Sequence, residues 1–539
     1  MKLNIIISTG FLVVVFSLVV CSTQAPAFTI ASIGDSFASG EGNPDEPQRF
    51  KPTGDIRTGP VWADHQCHRS HIAAPERAAH AIAQFLDQPL EFIGLACTGA
   101  SLARGILESY DPDTDDRHNP LPSQIDALRN RLGDRPIDIL LISAGGNDVG
   151  FSDIIKQCIK MDFKALVLKN KKLCSRDPGV RATIKKELEA LPEKYKRLAD
   201  QLKTMQIRQV VITEYPDPTK GENGSYCGDN GNSRILFMHP LTAKWAEHEV
   251  VIPLNAAVGA AAELHGWVRV PVQAWSTTHG YCAGSARWFR TEEDARNIQG
   301  PYEGGLSFRD RLPPGFRFSL GSLHPNPAGH DGIARQIVAT FLGSGRMFDR
   351  IFYLANNSDV SQAVGTSYEA VFEHWKNHGL PEGRRSSREF DVKFYLANYP
   401  DLQSLFGTNY RAALGHWVSH GLPAEGRKGS REFDVQFYLQ AYPDLQERFG
   451  KNYAAAFDHW VKQGLPLEGR RGSGEFDVRF YLTTYPDLQE RFGENYSAAL
   501  THWILEGLAE ERLGVHAYHF RPLLFGDHRH HHFSPLLLQ

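Results

Sequence analysis

The sequence predicts an α/β domain, built on a parallel sheet with helices on both faces, followed by an all-α repeat domain. Short apolar runs alternate with helical stretches from Phe28 to about Leu342, which is the pattern of a parallel sheet covered on both sides. After Gly345 the sequence repeats itself, with spacings of 42, 43 and 43 residues. All seven cysteines lie before residue 290. The two regions therefore differ in period and in composition.

Length and charge exclude several classes of protein. The 539 residues are too many for one hydrophobic core. The formal net charge of -4 leaves no global positive field for coating nucleic acid, so we expect no nucleic-acid partner. Only the first residues form a long apolar run, which excludes a protein with many membrane spans.

The first 27 residues have the pattern of a secretory signal peptide. Met1-Lys2 is followed by mostly apolar residues from Ile5 to Val20 and then by small residues around Ala25. Two alternatives remain open at this point. The run is short for a retained membrane anchor, and Val20 is bulky for lipid attachment at Cys21.

The apolar runs after Phe28 predict four strands, and the intervening periodicity predicts helices. Ligands of such sheets bind beyond the carboxyl ends of the strands. The predicted strands are 28–33, 90–93, 137–143 and 209–213, and the predicted helices are 72–86, 123–132, 187–206, 243–265 and 327–342.

Six cysteines remain once Cys21 is assigned to the signal. An even number in an exported chain indicates disulfides, although six cysteines allow 15 pairings. We prefer consecutive pairing because it closes short local loops, and each bridge would stabilise the fold by about 3–4 kcal/mol. The expected pairs are Cys67–Cys97, Cys158–Cys174 and Cys227–Cys282.

Four repeats of about 43 residues predict small stacked helical units over 346–515. Each unit is interpreted as two or three helices: a Phe-Tyr-Leu helix, a Tyr-Pro-Asp break and a helix that carries His-Trp. The repeated His-Trp pairs suit a ligand groove or, more simply, packing between helices. The units resemble repeats appended to bacterial surface and glycan-related proteins, which implies an accessory module without catalytic residues. The His-rich tail, 516–539, is predicted to be disordered, with loose metal binding as the alternative.

The residues suited to catalysis follow the predicted strands. Ser36, in Gly34-Asp35-Ser36, comes directly after the first strand, and no G-x-S-x-G elbow occurs in the sequence. Gly99 and Asn147 follow the next two strands, where a backbone N–H and a side-chain amide are suited to stabilising an oxyanion. His324 precedes the last helix, and a histidine is the natural base for a serine hydroxyl near pH 7.

Together these blocks resemble the SGNH (GDSL-type) hydrolase family over about residues 28–345. The cysteine layout and the segment around Cys67 and Cys97 look like the secreted three-disulfide lipases and esterases of actinomycetes. The resemblance implies a flavodoxin-like three-layer sandwich and no metal or other cofactor. It also implies that Ser36 is the nucleophile, that His324 is the base, and that Ser36 N–H, Gly99 N–H and Asn147 form the oxyanion hole.

One position departs from the family pattern. Many members carry an aspartate three residues before the catalytic histidine, where this chain has Gly321. The disulfide-rich branch implies instead a Ser–His dyad, in which the carbonyl of Ser322, or of Gly321, orients His324. A distant aspartate, Asp310 or Asp331, is the alternative.

The segment 64–71 also has spacing suited to metal ligands, but a disulfide at Cys67 would remove its thiolate. We therefore expect this loop to shape the rim of the active site beside Gly99.

We thus expect a secreted, or periplasmic or cell-surface, bacterial serine hydrolase of carboxylic esters. A polysaccharide O-acetyl esterase or acyltransferase, held at a glycan or cell surface by the repeats, is the first alternative. A surface-binding protein with a vestigial hydrolase fold is the second.

Overall fold

The computed structural model describes residues 27–50, 56–112, 119–167, 172–229, 234–235, 238–300, 321–343 and 347–515. Four predictions fall outside these ranges: the signal peptide up to residue 26, lipid attachment at Cys21, Asp310 as a partner of His324, and the tail from residue 516. Among the described helices, none combines the length and the apolar character needed to cross a lipid bilayer.

Five parallel strands form the central sheet. Across the sheet their order is second, first, third, fourth and fifth, so Ile30 of the first strand pairs with Phe92 on one side and with Ile139 on the other. This order is that of flavodoxin-like folds, and the predicted fold class is confirmed. The fifth strand was missed because it is only three residues long. The strands are Phe28–Gly34, Leu90–Gly94, Ile139–Ser143, Val210–Thr213 and Val268–Val270, and a separate antiparallel ribbon pairs Arg49–Phe50 with Ile56–Thr58.

Helices cover both faces of this sheet. Leu141 packs on one face with the helix Ala74–Leu86, whereas its neighbour Leu140 packs on the other with the helix Pro178–Leu202. The alternation follows from the two-residue period of a strand, and it produces the predicted three-layer sandwich. The described α-helices are Ser36–Ser39, Ala74–Leu86, Gln124–Leu132, Phe151–Val167, Pro178–Leu202, Pro240–Ala246, Ile252–His265, Val272–Ser276, Glu292–Gln299 and Pro327–Gly343.

Two helices differ from their predicted bounds for identifiable reasons. The helix predicted over 187–206 begins at Pro178, because Asp177 caps it and proline is tolerated in the first turn. The missed residues, 178–186, begin with Pro178-Gly179, which in a sequence is typical of a turn. The helix predicted over 243–265 starts at Pro240 and passes through a π-helical segment, Glu247–Val251.

The six cysteines form three disulfides, all between consecutive cysteines, as expected from the sequence. The bond Cys67–Cys97 joins the loop before the helix Ala74–Leu86 to the loop after the second strand. The other two pairs are Cys158–Cys174 and Cys227–Cys282.

Each repeat consists of three short helices. The Tyr-Pro-Asp stretch was predicted to be a break, but its proline is the first residue of the second helix, where a missing N–H costs no helical hydrogen bond. The repeat helices are Arg350–Asn356, Ser358–Val364 and Tyr368–His374; Val392–Asn398, Pro400–Phe406 and Tyr410–His416; Val435–Ala441, Pro443–Phe449 and Tyr453–His459; Val478–Thr484, Pro486–Phe492 and Tyr496–His502.

The His-Trp pairs of the repeats lie inside the helical units. All four tryptophans are at most 4% exposed. In the third repeat Nδ1 of His459 lies 2.9 Å from the hydroxyl of Tyr438, and the same contact joins His416 to Tyr395. The burial of these rings favours helix packing over a ligand groove.

The repeats pack against the end of the sheet where the strands begin. Nη1 of Arg208, just before the fourth strand, donates to the carbonyl of Ser419 in the second repeat at 2.5 Å. The ring of Phe85 lies 5.7 Å from that of Trp375, centroid to centroid. One apolar cluster therefore runs from the sheet into the repeats, at the end opposite to the one where such sheets bind ligands.

Candidate active site

Ser36 begins the short helix Ser36–Ser39, directly after the first strand. Asp35 caps this helix, since its Oδ1 accepts the N–H of Phe37 at 3.0 Å. Ser36 is 7% exposed, and within the described residues no backbone or side-chain acceptor takes its N–H. The serine is thus held rigidly, with its own amide available to a ligand.

His324 lies beside this serine, although 288 residues separate them along the chain. Nε2 of His324 is 2.8 Å from Oγ of Ser36, and Nδ1 is 3.2 Å from the carbonyl oxygen of Ser322. A carbonyl only accepts, so Nδ1 carries the proton and Nε2 can accept one from the hydroxyl. Leu323 adopts a φ of +64°, which is uncommon outside glycine, in the turn that presents the imidazole.

Neither residue 321 nor Asp331 supplies a carboxylate to His324. Gly321 offers none, and Asp331 is paired with Arg77 on a neighbouring helix. The hydroxyl of Ser322 donates to Glu292, so the side chain of the orienting residue is itself held. The imidazole therefore lies between the hydroxyl of Ser36 and the backbone carbonyl of Ser322.

The two other expected donors lie in loops that follow the second and third strands. Gly99 has a φ of +81°, and a Cβ there would be 2.2 Å from the hydroxyl of Tyr110; only glycine fits. Its N–H has no acceptor among the residues that the structure describes. Nδ2 of Asn147 donates one hydrogen to the carbonyl of Ala100 at 2.9 Å, and its second hydrogen remains for a ligand.

Tyr215 connects two of these loops, and sequence reasoning missed it. Its hydroxyl donates to Oδ2 of Asp35 and accepts the N–H of Gly146 at 2.9 Å. These two residues directly precede Ser36 and Asn147. Burial raises the pKa of Asp35 to about 7, against the opposing effect of the hydrogen bond from Tyr215.

Glu41 is the second residue that sequence reasoning missed. Its carboxylate is fully buried. One oxygen lies 2.8 Å from Nδ1 of His68 and accepts the hydroxyl of Thr98 at 2.7 Å, and the other accepts Nε2 of Gln299 at 2.7 Å. Burial acts to raise the pKa of Glu41, but the charge and hydrogen bond of His68 outweigh it and lower the pKa to about 2.

The side chains of segment 64–71 are engaged in other contacts. Cys67 is in a disulfide, and the ring of His65 lies against that of His68. The other acidic and basic groups of the segment are paired with one another or with neighbouring carboxylates. In the described ranges, the one grouping with metal-ligand spacing is His502, Glu506 and Glu510 in the last repeat. The pairs in the segment are Asp64–Arg69, His68–Glu41 and His71–Glu76.

Both missed residues had a signal in the sequence. Tyr215 follows the fourth predicted strand, at the edge of the sheet where the other site residues were found. Glu41 stands between Gly40 and Gly42, five residues after Ser36. Neither residue belongs to a recognisable sequence motif, and the contacts of both are with residues distant in sequence.

A comparison with protein families identifies the family of this chain. The model of the GDSL-like Lipase/Acylhydrolase family matches residues 32–331, which is more than half of the chain. The chain belongs to the GDSL-like lipase/acylhydrolase family.

Several solved structures are similar to it at low identity. The extracellular lipase of Streptomyces rimosus is 18% identical with a TM-score of 0.36, covering 58% of this chain and 99% of that one. A carbohydrate acetylesterase family member from Sinorhizobium meliloti is 12% identical with a TM-score of 0.27, covering 58% and 97%. A lipase from a goat rumen metagenome is 13% identical with a TM-score of 0.29, covering 58% and 97%. No curated protein matches the chain.

Proposed function

We propose that this protein is an exported serine hydrolase that cleaves carboxylic esters through an acyl-enzyme on Ser36. The observation that carries the proposal is the 2.8 Å distance between Oγ of Ser36 and Nε2 of His324. A serine hydroxyl becomes an effective nucleophile only when an adjacent base removes its proton. Residues 28–345 supply the chemistry in this proposal, and residues 346–515 form an accessory module.

In the first half of the reaction, Oγ of Ser36 attacks the ester carbonyl while its proton passes to Nε2 of His324. The tetrahedral intermediate carries a negative oxygen, which the N–H groups of Ser36 and Gly99 and the second hydrogen of Asn147 Nδ2 stabilise. Each such donor contributes about 3–4 kcal/mol to lowering the barrier. The imidazolium then returns the proton to the leaving alcohol, and the C–O bond of the substrate breaks.

In the second half, water takes the place of the alcohol. Nε2 of His324 accepts a proton from the water as its oxygen attacks the acyl-enzyme. The second tetrahedral intermediate then collapses: its bond to Oγ of Ser36 breaks, Nε2 returns the proton to Oγ, and the acid leaves. The carbonyl of Ser322 holds Nδ1–H throughout. A neutral acceptor stabilises the imidazolium less than a carboxylate does, so we expect a modest cost in rate and the same mechanism.

Export is part of the proposal because three disulfides need an oxidising compartment to form and persist. The described chain contains all three bonds. The pattern of residues 1–27 is that of a cleavable secretory signal.

Hydrolysis of p-nitrophenyl esters by purified protein tests the proposal. Replacing Ser36 by alanine, or His324 by glutamine, is expected to lower kcat by roughly 10³-fold or more. Ser32→Ala is the matched control, because Ser32 is also a buried serine and lies outside the site, in the strand that precedes Ser36. Full activity of Ser36→Ala would remove the proposal, and absence of fluorophosphonate labelling at Ser36 would favour a vestigial, surface-binding protein.

A second candidate is the removal of acyl groups from a polysaccharide, or their transfer to one. The observation that favours it is the position of the repeats: Arg208 and Phe85 bind them to the end of the sheet away from Ser36. A glycan or cell surface bound by the repeats would leave the catalytic end of the sheet directed outward. Turnover of acetylated xylan or peptidoglycan, compared with turnover of medium-chain lipid esters, separates the two candidates. Activity on lipid esters alone excludes the second.

A further inference from the structure

We propose that Glu41 is a positioning residue of this reaction, whose buried carboxylate aligns the Gly99 amide with the oxyanion and makes His324 a stronger base. The inference rests on the proposed ester hydrolysis. Glu41 is 0% exposed, and an unpaired charge at such a depth would be strongly destabilising. The burial of this charge next to the catalytic loops is explained if the charge acts on them.

The carboxylate first fixes the loop that carries Gly99. It accepts the hydroxyl of Thr98, the residue immediately before Gly99, at 2.7 Å. The same hydroxyl lies 3.2 Å from Oγ of Ser39 in the helix that Ser36 begins. The backbone N–H of Glu41 donates to the carbonyl of Ser36 at 3.3 Å. Glu41 thus ties the oxyanion amide of one loop to the turn that carries the nucleophile.

The residue that follows Glu41 and the amide that binds its carboxylate both lie against the turn that carries His324. The backbones of Gly42 and Gly321 are in contact, because a Cβ on Gly321 would lie 2.6 Å from Cα of Gly42. Gln299, which donates to Glu41 at 2.7 Å, lines the other side of Gly321. Any side chain at position 321 would clash there, so the site has no room for the aspartate found in many relatives.

The charge of Glu41 acts in the direction that the mechanism needs. The proximity of His324 helps to lower the pKa of Glu41, and by reciprocity the carboxylate favours protonated His324. Among the described residues, three other charged groups surround Glu41 and the His324 turn: His68, paired with the carboxylate, Arg290, which binds the backbone of Gly42, and Glu292, which accepts the hydroxyl of Ser322. His330 also lies within electrostatic reach of His324, and its own pKa is lowered, mainly by burial.

His68 is built to hold this carboxylate. It adopts a φ of +46° and stacks on Trp62 with ring centroids 4.4 Å apart. Its side chain is 9% exposed, and Nδ1 points at Glu41. The pair is therefore shielded from solvent. A charge in such a buried position acts over a longer distance than a charge at the surface.

Glu41→Gln is the main test, measured as kcat, KM and the pH profile of kcat/KM. An amide has one acceptor oxygen, whereas three donors converge on the carboxylate. We expect kcat to fall by about 30-fold, less than the loss of a whole oxyanion donor, and KM to stay within about threefold. The acid limb of kcat/KM, which reports the base, is expected to move to lower pH, because the group that favours imidazolium is gone.

His68→Gln tests the direction of the charge effect. Its amide can still donate to Glu41 but cannot become positive, so the acid limb is expected to stay or to move to higher pH, opposite to Glu41→Gln. Glu389→Gln is the matched control, because Glu389 is 2% exposed and lies in the repeats. This substitution should change neither kcat nor the acid limb of kcat/KM.

The proposal is overturned if Glu41→Gln keeps kcat within about threefold of wild type, or if its acid limb does not move. Should Glu41→Gln fail to fold, Thr98→Val and His68→Gln decide. In Thr98→Val, kcat must fall while the acid limb of kcat/KM stays at its wild-type pH. An unchanged kcat in this variant refutes the role of Glu41. Wild-type turnover and its loss in Ser36→Ala establish the reaction independently. A wild type without esterase activity therefore refutes the proposed function, and a normal Glu41→Gln refutes only the role of Glu41.

Discussion

The hydroxyl group of Tyr215 donates a hydrogen bond to Asp35, and the same oxygen accepts the backbone N–H of Gly146. One phenol, 5% exposed, thereby joins the residue before Ser36 to the residue before Asn147. The proposed oxyanion site is assembled from loops that follow different strands, so its geometry depends on such links.

Replacing Tyr215 by phenylalanine leaves a buried acceptor on Asp35 and a buried donor on Gly146 without this partner. We expect a loss of about 1–3 kcal/mol in the free energy of unfolding, and a fall in kcat of about tenfold with KM little changed. Urea unfolding and steady-state kinetics measure the two effects. The control is Tyr226→Phe, whose hydroxyl donates to Glu247 away from the site; equal losses of kcat in both variants would contradict the role of Tyr215.

Gly99→Ala places a methyl group where the hydroxyl of Tyr110 lies, 2.2 Å from the new Cβ, and forces alanine to a φ of +81°. We expect kcat to fall by about 10²-fold because the amide is displaced from the oxyanion. Adding Tyr110→Phe removes the overlap but not the strained backbone, so it should restore only part of the activity. Full activity in Gly99→Ala alone would show that this amide takes no part.

Two of the disulfides allow a stability effect to be separated from a catalytic one. Cys67–Cys97 closes a separation of 30 residues and Cys158–Cys174 one of 16, so removing either by double alanine substitution should cost about 3–4 kcal/mol of stability. Only the first is expected to lower kcat at a temperature where both variants are folded, because the carbonyl of Cys67 accepts the N–H of Thr98 beside Gly99 at 3.2 Å. Similar values of kcat in the two variants would contradict this link.

The parts of the fold that could be predicted from the sequence are those with a local signal. Apolar strands ended by glycine or polar residues gave four of the five strands, and the repeat period gave the helical domain. The strand Val268–Val270 was missed because it is very short, and the start of the helix at Pro178 was missed because Pro-Gly is typical of a turn.

The residues of the site also differ in whether they have a local signal in the sequence. Ser36 and His324 could be named because a nucleophile and a base are recognisable residue types, next to strands or helices. Tyr215 and Glu41 could not, since their proposed roles depend on burial and on partners that are distant in sequence. A tyrosine after a strand or a glutamate between glycines is common in sequences of no catalytic interest.

His330 gives the fold a dependence on pH that a single substitution isolates. It is fully buried in the helix Pro327–Gly343, Nδ1 accepts the N–H of Ala74 at 3.2 Å, and burial, aided by the charge of Arg77, lowers its pKa from 6.5 to about 3. Between these values the unfolded chain binds a proton that the folded chain does not. Stability should therefore fall by up to about 1.4 kcal/mol per unit as the pH drops through this window.

In His330→Gln the amide oxygen can still accept the N–H of Ala74, but nothing titrates. The stability of this variant, measured by urea unfolding at a series of pH values, is expected to fall less steeply below pH 6.5 than that of the wild type. Asp35, with its pKa raised to about 7 by burial, contributes the opposite slope to both proteins and cancels in the comparison. His80→Gln changes an exposed histidine and should leave the wild-type slope; parallel curves for the His330 variant and the wild type would mean that His330 is protonated in the folded state.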